Sequence, residues 1–430
     1  MIAQTILPFK LDTTRDSITA QAGLVLFGEF VIGLNLKHLC ARYLPAPGSA
    51  VGYSPFAFVF PLQLMLNGGG HCLEDLRMIE RDSALREALA LHELPSTDAV
   101  GDWLRRMGCG AGLRGLERIN QRVVGLELGK EAGTDYTLDT DATVIEAEKQ
   151  AAAMTYKGMK GYSPLVSHLA ENGLVLDAEF REGNASPQSG NLAALQRCVR
   201  KLSRLSGGKK RIKYFRSDSA AYQAELLDWC EDHGLEYAVG ADLDAAVREN
   251  LASLPASAWR ELEGGGGWIA ETAHSMNESE HGFRLIAVKR PMQGHLFGEA
   301  AEHVTVIASN RGEDAETVLT WYNQRGDKSE NRLKELKIGI GLEGVPCGDF
   351  AGNAAFFHLG VLAYNLFRIF VLQALGPEWS NRQLRTVRWR FYQTAGKLVL
   401  HGGAVWLKVS RSVYEFFRAV RARSYAFAFG

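Results

Sequence analysis

Between about residues 15 and 130, apolar residues recur at helical spacing, with breaks at PAPGSAVGYSP (45–55) and NGGG (67–70), which predicts a run of helices. Within it, Pro95-Ser96-Thr97-Asp98 ahead of AVGDWLRRMG predicts a short capped helix that stops at Gly108, either an ordinary bundle helix or part of a small DNA-binding unit. Near Thr134 the period shortens to two. Tyr136, Leu138, Thr140 and Ala142 alternate with Thr137, Asp139, Asp141 and Thr143, the pattern of a strand with one acidic face. GYSPLVSHLA and GLVLDAEFR, separated by a turn at Glu171-Asn172-Gly173, add two strands and predict an antiparallel meander. A basic amphipathic helix from about Pro187 to Leu205 leads to the strand RIKYFRSD. The helix AAYQAELLDWCEDHG and the strand LEYAVGA follow, a strand-helix-strand unit with Asp218 at the carboxyl end of its first strand.

GGGGWIAETAH, FRLIAVKR and HVTVIAS then predict a β segment inserted between Leu243 and Ser309, before a long helical region starting near Glu313. The most apolar run, Phe356 to Leu375, contains His358, Asn365 and Arg368 and is expected to be a buried or amphipathic helix, not a membrane span. The class is α/β with helical ends. The expected division is a helical N-terminal region (1–130), a first core part (131–240), a β insertion (241–310), final core helices (311–375) and a basic C-terminal region (376–430).

Length and composition allow this. A chain of 430 residues with 46% hydrophobic content can form two or more globular units. Six scattered cysteines without a CxxC pair fit free thiols in a reducing cytoplasm and give no zinc site. The N-terminus lacks a basic segment followed by an apolar core, so secretion is not expected. The net charge of −1 is uninformative, but its distribution is not. From Arg197 to Arg216 there are nine Lys or Arg and no acid; from Pro377 onward there are ten, against Glu378 and Glu415. Both runs suit phosphate contact, although a solvated helix face gives the same composition.

Four acids carry the candidate chemistry. Phosphoryl transfer by two metal ions needs hard carboxylate oxygens delivered by rigid elements. Asp139 and Asp141 sit in a strand, Asp218 at a strand-to-helix switch and Glu330 on the late helix. Singly, each is also what a solvated edge residue or a helix cap looks like. As a set they are acids where strands and helix ends place ligand chemistry. Glu330, Lys334 and Lys337 recur at i, i+4 and i+7, and Tyr322 and Arg325 lie upstream, suited to a backbone phosphate. Lys209, Lys210 and Arg211 are further candidate DNA contacts.

Tyr322-Asn-Gln-Arg325, Glu330 and Lys337 together resemble the Tyr/Arg/Glu/Lys signature of bacterial insertion-sequence DDE transposases. LDTDATVIEAEK with TYKGMKGYSPL is similar to their first-Asp strand and hairpin, and RSDSAAYQAELLDWCEDHGLEYAVGAD to their second-Asp segment. The resemblance spans roughly residues 90 to 400. It implies an RNase H-like core with a mixed sheet, a β insertion between the second Asp and the Glu, and flanking helical DNA-binding regions. It further implies two Mg²⁺ or Mn²⁺ ions on Asp141, Asp218 and Glu330, with Tyr322, Arg325 and Lys337 on phosphates of double-stranded DNA.

The expected activity is cut-and-paste transposition by a homodimer acting on inverted-repeat ends and target DNA, with no membrane partner. The alternatives are a nuclease that cleaves without joining and a domesticated DNA-binding descendant. The first acid stays open between Asp139 and Asp141, the latter preferred because Asp-Ala-Thr resembles the family's Asp-small-Thr. One more residue separates Arg325 from Glu330 than in the best-known members. Three other signals are set aside: His274, Glu278, Glu280 and His281 as a polar hairpin loop, SGGKK as no phosphate-binding loop, and Trp259, Trp268 and Trp321 as core aromatics.

Overall fold

The computed structural model describes residues 7, 9–49, 51–291 and 302–429, without the side chains of residues 302 and 327–329. Strand β1 (Ser17–Thr19) precedes seven helices: α1 (Ala22–Gly33), α2 (Leu36–Tyr43), α3 (Pro55–Gly68), α4 (Leu76–Arg81), α5 (Ser83–Ala88), α6 (Thr97–Met107) and α7 (Ala111–Lys130). Their starts are chemically set. Ser54 accepts from Ala57 N with Pro55 in the first turn, and Ser96 accepts from Ala99 N. The sheet region follows with β2 (Asp135–Ala142), β3 (Ile145–Glu146), β4 (Ala153–Met154), β5 (Lys160–Tyr162), β6 (Leu165–Leu169) and β7 (Val175–Glu179). Then come α8 (Asn191–Leu205), β8 (Arg211–Ser217), α9 (Ala224–Asp232), β9 (Glu236–Gly240) and α10 (Ala245–Ala252).

The inserted strands are β10 (Arg260–Glu261), β11 (Trp268–His274), β12 (Phe283–Pro291) and β13 (Glu302–Ser309), followed by α11 (Ala315–Lys334) and α12 (Phe350–Ile369). The chain closes with α13 (Leu384–Val387), β14 (Gly396–His401), β15 (Ala404–Val409) and α14 (Arg411–Phe429).

Nine strands form one sheet in the order β10-β11-β12-β13-β9-β8-β2-β6-β7. β2 pairs with β8, and β8 with β9, in parallel; β2, β6 and β7 form the expected antiparallel meander. Its turn uses Asn172 and Gly173, with Gly173 at φ 76°, a value that favours glycine. The predicted strand GYSPLVSHLA is in fact two. It breaks at Pro164, which has no N–H to give a ladder; Tyr162 ends β5 in a small separate sheet and β6 starts at Leu165.

The acidic face expected of β2 is not solvated, because the strand is central and buried on both sides. The inserted strands continue the sheet: β13 pairs with the edge of β9, antiparallel. The terminal regions are likewise joined, since β1 pairs with β14 and a single hydrophobic core runs from α1 through α12 to Phe417 and Val420. The α6 helix belongs to this bundle. Trp103 is buried and stacks on Phe58, and a Cβ on Gly108 would lie 1.8 Å from the Ala351 carbonyl oxygen, so α6 ends in backbone contact with α12.

The helix spanning Phe350–Leu375 is long and apolar enough to cross a membrane, yet 94% of its most apolar window is buried within the chain's own structure. Its polar side chains explain why it sits there. Asn365 accepts from Val175 N (2.9 Å) and donates to Val175 O and Asn120 Oδ1 (2.8 Å each), Arg368 donates to the Asn172 carbonyl, and the Tyr364 hydroxyl to the Gly173 carbonyl. Together they clamp the β6–β7 hairpin onto α12.

Asn365→Ala orphans a buried strand N–H, so unfolding in urea should show a loss of about 2–3 kcal/mol; an unchanged midpoint would remove this clamp from the account. Burial raises the Glu127 carboxyl to about 7, with the Gln373 amide opposing the shift and Glu131 adding to it. An acid pKa raised on folding gives stability that is complete below its unfolded value, near 4.5, and lost as pH rises through 7. Glu127→Gln should therefore gain on wild type progressively from pH 5 to 8, by up to about 3 kcal/mol, in parallel denaturation series.

Candidate active site

Parallel pairing of β2 with β8 builds the site. Asp139 is in register with Arg216 and Thr140 with Ser217, so Asp141 and Asp218 follow as neighbours across adjacent strands, where spacing is about 4.8 Å. The Ser217 hydroxyl donates to the Thr140 carbonyl at 2.8 Å and fixes that register from the side-chain level. The two aspartates of β2 meet different environments. Asp139 is fully buried and receives Arg216 as a fork, Nε to Oδ1 at 2.7 Å and Nη2 to Oδ2 at 2.9 Å. His168 Nε2 lies 3.7 Å from the same carboxylate, with its pKa pushed down to about 4 by burial, so it is neutral. Asp139 is thus already satisfied. Asp141, two residues on, is at the end of the strand and ion-paired with Arg325 of α11.

Burial raises the Asp141 carboxyl to about 7; Arg325 opposes this, and Asp218 and Asp139 reinforce it. Asp218 caps the short turn Ser219–Ala221 by accepting from Ala220 N at 3.1 Å.

Arg216 also places α11. Its Nη1 donates to the Trp321 carbonyl at 2.6 Å and its guanidinium lies 4.9 Å from the Trp321 ring centre. Asp314 caps the helix by accepting from Glu316 N and Thr317 N. Tyr322 follows, its hydroxyl 3.0 Å from where a Cβ on Gly240 would stand, so the glycine makes room for it. Arg325 lies over the Tyr322 ring. Burial lowers the Arg325 pKa, but Asp141, Tyr322 and Asp218 more than reverse this and hold it charged. Lys337, in a π-helical turn beyond α11, donates to the Val144 carbonyl at 2.7 Å, just past the end of β2.

Asp141, Asp218, Tyr322, Arg325 and Lys337 therefore gather at the carboxyl ends of β2 and β8. Glu330 does not join them. It is exposed, and among the described residues no three His, Cys, Asp or Glu side chains come together as a metal-holding group. Five residues along an α-helix turn about 140° away from the starting face. With Arg325 on Asp141, Glu330 faces elsewhere, as does the exposed Lys334.

The Lys209, Lys210 and Arg211 cluster is at the opposite end of β8 from Asp218. Lys210 is no DNA contact in this fold: it is buried, donating to the Glu131 carbonyl at 2.7 Å and to that of Gly133, where it caps the end of α7. Arg211 pairs with Asp135 at 2.9 Å, and Lys209 is exposed. Other cations of the run are ion-paired, with Arg197 and Lys201 on Asp177, Lys213 on Glu236 and Arg216 on Asp139. The C-terminal run also stitches the fold. Arg388 donates to the Leu66, Asn67 and Gly339 carbonyls, Arg423 to those of Ala374 and Leu375, and Arg421 pairs with Glu29.

Among the signals set aside, the His281 loop docks on α9 through Asp228 and Asp232. Trp268 is 43% exposed, contrary to a core role. Sequence reasoning missed Arg216; a charged residue inside the strand YFRSD, two positions before Asp218, was the available signal.

A family model described as transposase DDE domain group 1 matches residues 7–423. No curated protein matches the chain. A solved structure of a piggyBac transposase in a synaptic complex with hairpin DNA is similar at 12% identity, covering 96% of this chain and 84% of that one, with a TM-score of 0.45.

The two β2 aspartates should separate in stability. Asp139→Asn leaves the buried Arg216 guanidinium without its counter-charge, an expected loss of about 3–5 kcal/mol in chemical unfolding. Asp141→Asn removes a carboxylate whose charge burial already disfavours and should cost clearly less; equal losses would contradict the division of roles.

Proposed function

Because the chain belongs to the transposase DDE domain group 1 family, we propose that it cuts DNA at element ends and joins the freed 3′-hydroxyl to target DNA, as a homodimer in cut-and-paste transposition. The observation that carries this reading is the Asp141–Asp218 pair on adjacent parallel strands, with Arg325 held on Asp141. The mixed β7-β6-β2-β8-β9 portion of the sheet supports an RNase H-like core, and β10–β13 an insertion between the second Asp and the Glu.

The donor set fits a hard divalent cation such as Mg²⁺ or Mn²⁺. Asp141 and Asp218 offer carboxylate oxygens, and the Arg325 guanidinium already stands as the counter-charge that the buried Asp141 requires. Asp141 and Asp218 would hold the ions, and Glu330 would join them only after α11 leaves the phase that turns it outward; when bound, the ions would lower the pKa of the attacking oxygen and neutralise charge on the phosphate.

The chain's own residues then orient the DNA. Arg325 has a planar fork that suits a phosphate once Asp141 is otherwise neutralised. Tyr322, packed beside Gly240, holds Arg325 at that position. Lys337 brings a positive charge to the end of β2. Asp139 and Arg216 keep β2, β8 and α11 in register and touch no substrate.

The exposed position of Glu330 is the observation that favours a second reading, a DNA-binding descendant that no longer cleaves. A labelled duplex carrying the element's terminal repeats, incubated with Mg²⁺, separates the two. Wild type should nick at the repeat boundary, and Asp218→Ala and Glu330→Ala should retain end binding while cleavage falls to background. Full cleavage by Glu330→Ala would place the third carboxylate elsewhere, and no cleavage by wild type would favour the second reading.

A further inference from the structure

A basic concavity outside the site lies between α2, α7 and the end of α8. This groove of about 820 Å³ is lined by Arg42, Arg118, Arg122 and Arg204, with Tyr43 and Gln121 between them and no Asp or Glu. All four arginines are exposed. Arg122 Nε donates to the Tyr43 hydroxyl at 3.1 Å, Arg42 lies 5.4 Å from the centre of the Tyr43 ring, and Arg204 Nη2 donates to Gln121 Oε1 at 2.7 Å. These are neutral partners. Elsewhere in the basic run Arg197, Lys201, Arg211 and Lys213 are ion-paired, which sets this surface apart from theirs.

Arg118 and Arg122, at i and i+4, stand on one helix face about 6 Å apart along the axis. Like charges at that spacing destabilise an isolated helix. Arg114 extends the row by one more turn and is also exposed. A row of this kind matches an extended polyanion better than a single small anion, and each guanidinium fork matches a phosphodiester.

We propose that this groove holds the sugar-phosphate backbone of double-stranded DNA, independently of sequence and away from the cut. The proposal rests on the transposase reading for the identity of the polyanion. Its position is set by the fold. The groove adjoins the carboxyl end of α8, which leads into the start of β8, whereas Asp218 follows the end of β8. Seven residues of strand separate the two by about 20 Å. The groove therefore contacts DNA beyond the reacting phosphate.

The test uses the full chain and the exposed double variant Arg118→Gln/Arg122→Gln, with Arg118→Lys/Arg122→Lys as the charge-preserving control. Binding of a terminal-repeat duplex and of a scrambled duplex is followed by fluorescence anisotropy from 50 to 300 mM KCl, with Ca²⁺ to prevent cutting. The Gln variant should lose about tenfold in affinity for both duplexes, and its log K against log salt slope should shrink by about 2. The Lys variant should keep the wild-type slope, and the thermal midpoint of neither variant should fall.

An unchanged slope and affinity in the Gln variant, with wild type binding normally, overturns the groove while leaving the catalytic reading intact. A loss confined to the terminal-repeat duplex overturns its sequence independence. Loss of binding to anionic phospholipid vesicles with no change on DNA would assign the groove to a membrane surface and also overturn the proposal. Failure of wild type to bind either duplex removes the transposase reading itself, and the groove's occupant with it.

Discussion

A buried guanidinium, Arg216, joins three elements that the active site needs in fixed relation. Its fork on Asp139 ties β8 to β2, and its third nitrogen on the Trp321 carbonyl ties both strands to α11. Burying a charge pair is tolerable only when geometry and hydrogen bonding are nearly complete, and here the partners are complete on three sides. Because Asp139 is in register with Arg216, the residues that follow, Asp141 and Asp218, arrive side by side at the strand ends. Because Trp321 is held, Tyr322 and Arg325 on the next turn reach that same edge. The register of the pair is what sets the site.

The same economy of charge runs through the molecule. Two stretches whose composition suggests phosphate-binding surfaces are largely engaged in holding the fold: Lys210 closes the end of α7, Arg423 the end of the helix that continues α12, and Arg388 three separate carbonyls. Guanidinium groups suit this role because one planar group satisfies several carbonyl oxygens at once. Solvent-facing cations remain within both stretches and on other elements, among them the row on α7 that faces the Arg204 end of α8. Local charge density along a chain and charge presented on a surface are therefore different quantities in this protein.

Helical phase explains the incomplete triad. Arg325 and Glu330 stand five residues apart, and a regular helix cannot direct both at one point. In this structure α11 is phased by Trp321, Tyr322 and Arg325, so Glu330 is turned outward. The π-helical turn at Glu335–Gly339 then changes the phase again and brings Lys337 back to the end of β2.

Much of the architecture was legible in the sequence because it depends on local periodicity and end chemistry. Alternation marks β2, the Asn172-Gly173 turn marks the hairpin, Ser96 marks a helix start, and the polar residues within an apolar run mark α12 as an interior helix. Asp141 and Asp218, which the fold brings to adjacent strand ends, were singled out on the same grounds, whereas the outward phase of Glu330 was not foreseeable from them. What only tertiary structure decided is everything that depends on a partner distant in sequence. Asp139 and Asp141 share a strand face and look alike until β8 places Arg216 against one and α11 places Arg325 against the other. The inserted strands could have formed a separate unit until β9 offered its edge to β13. Basic residues could have faced solvent until Asp177, Glu236 and the helix-end carbonyls claimed them. Sequence sets periods, caps and chemical types; long-range pairing decides which charge is neutralised, which is buried and which is left free to act.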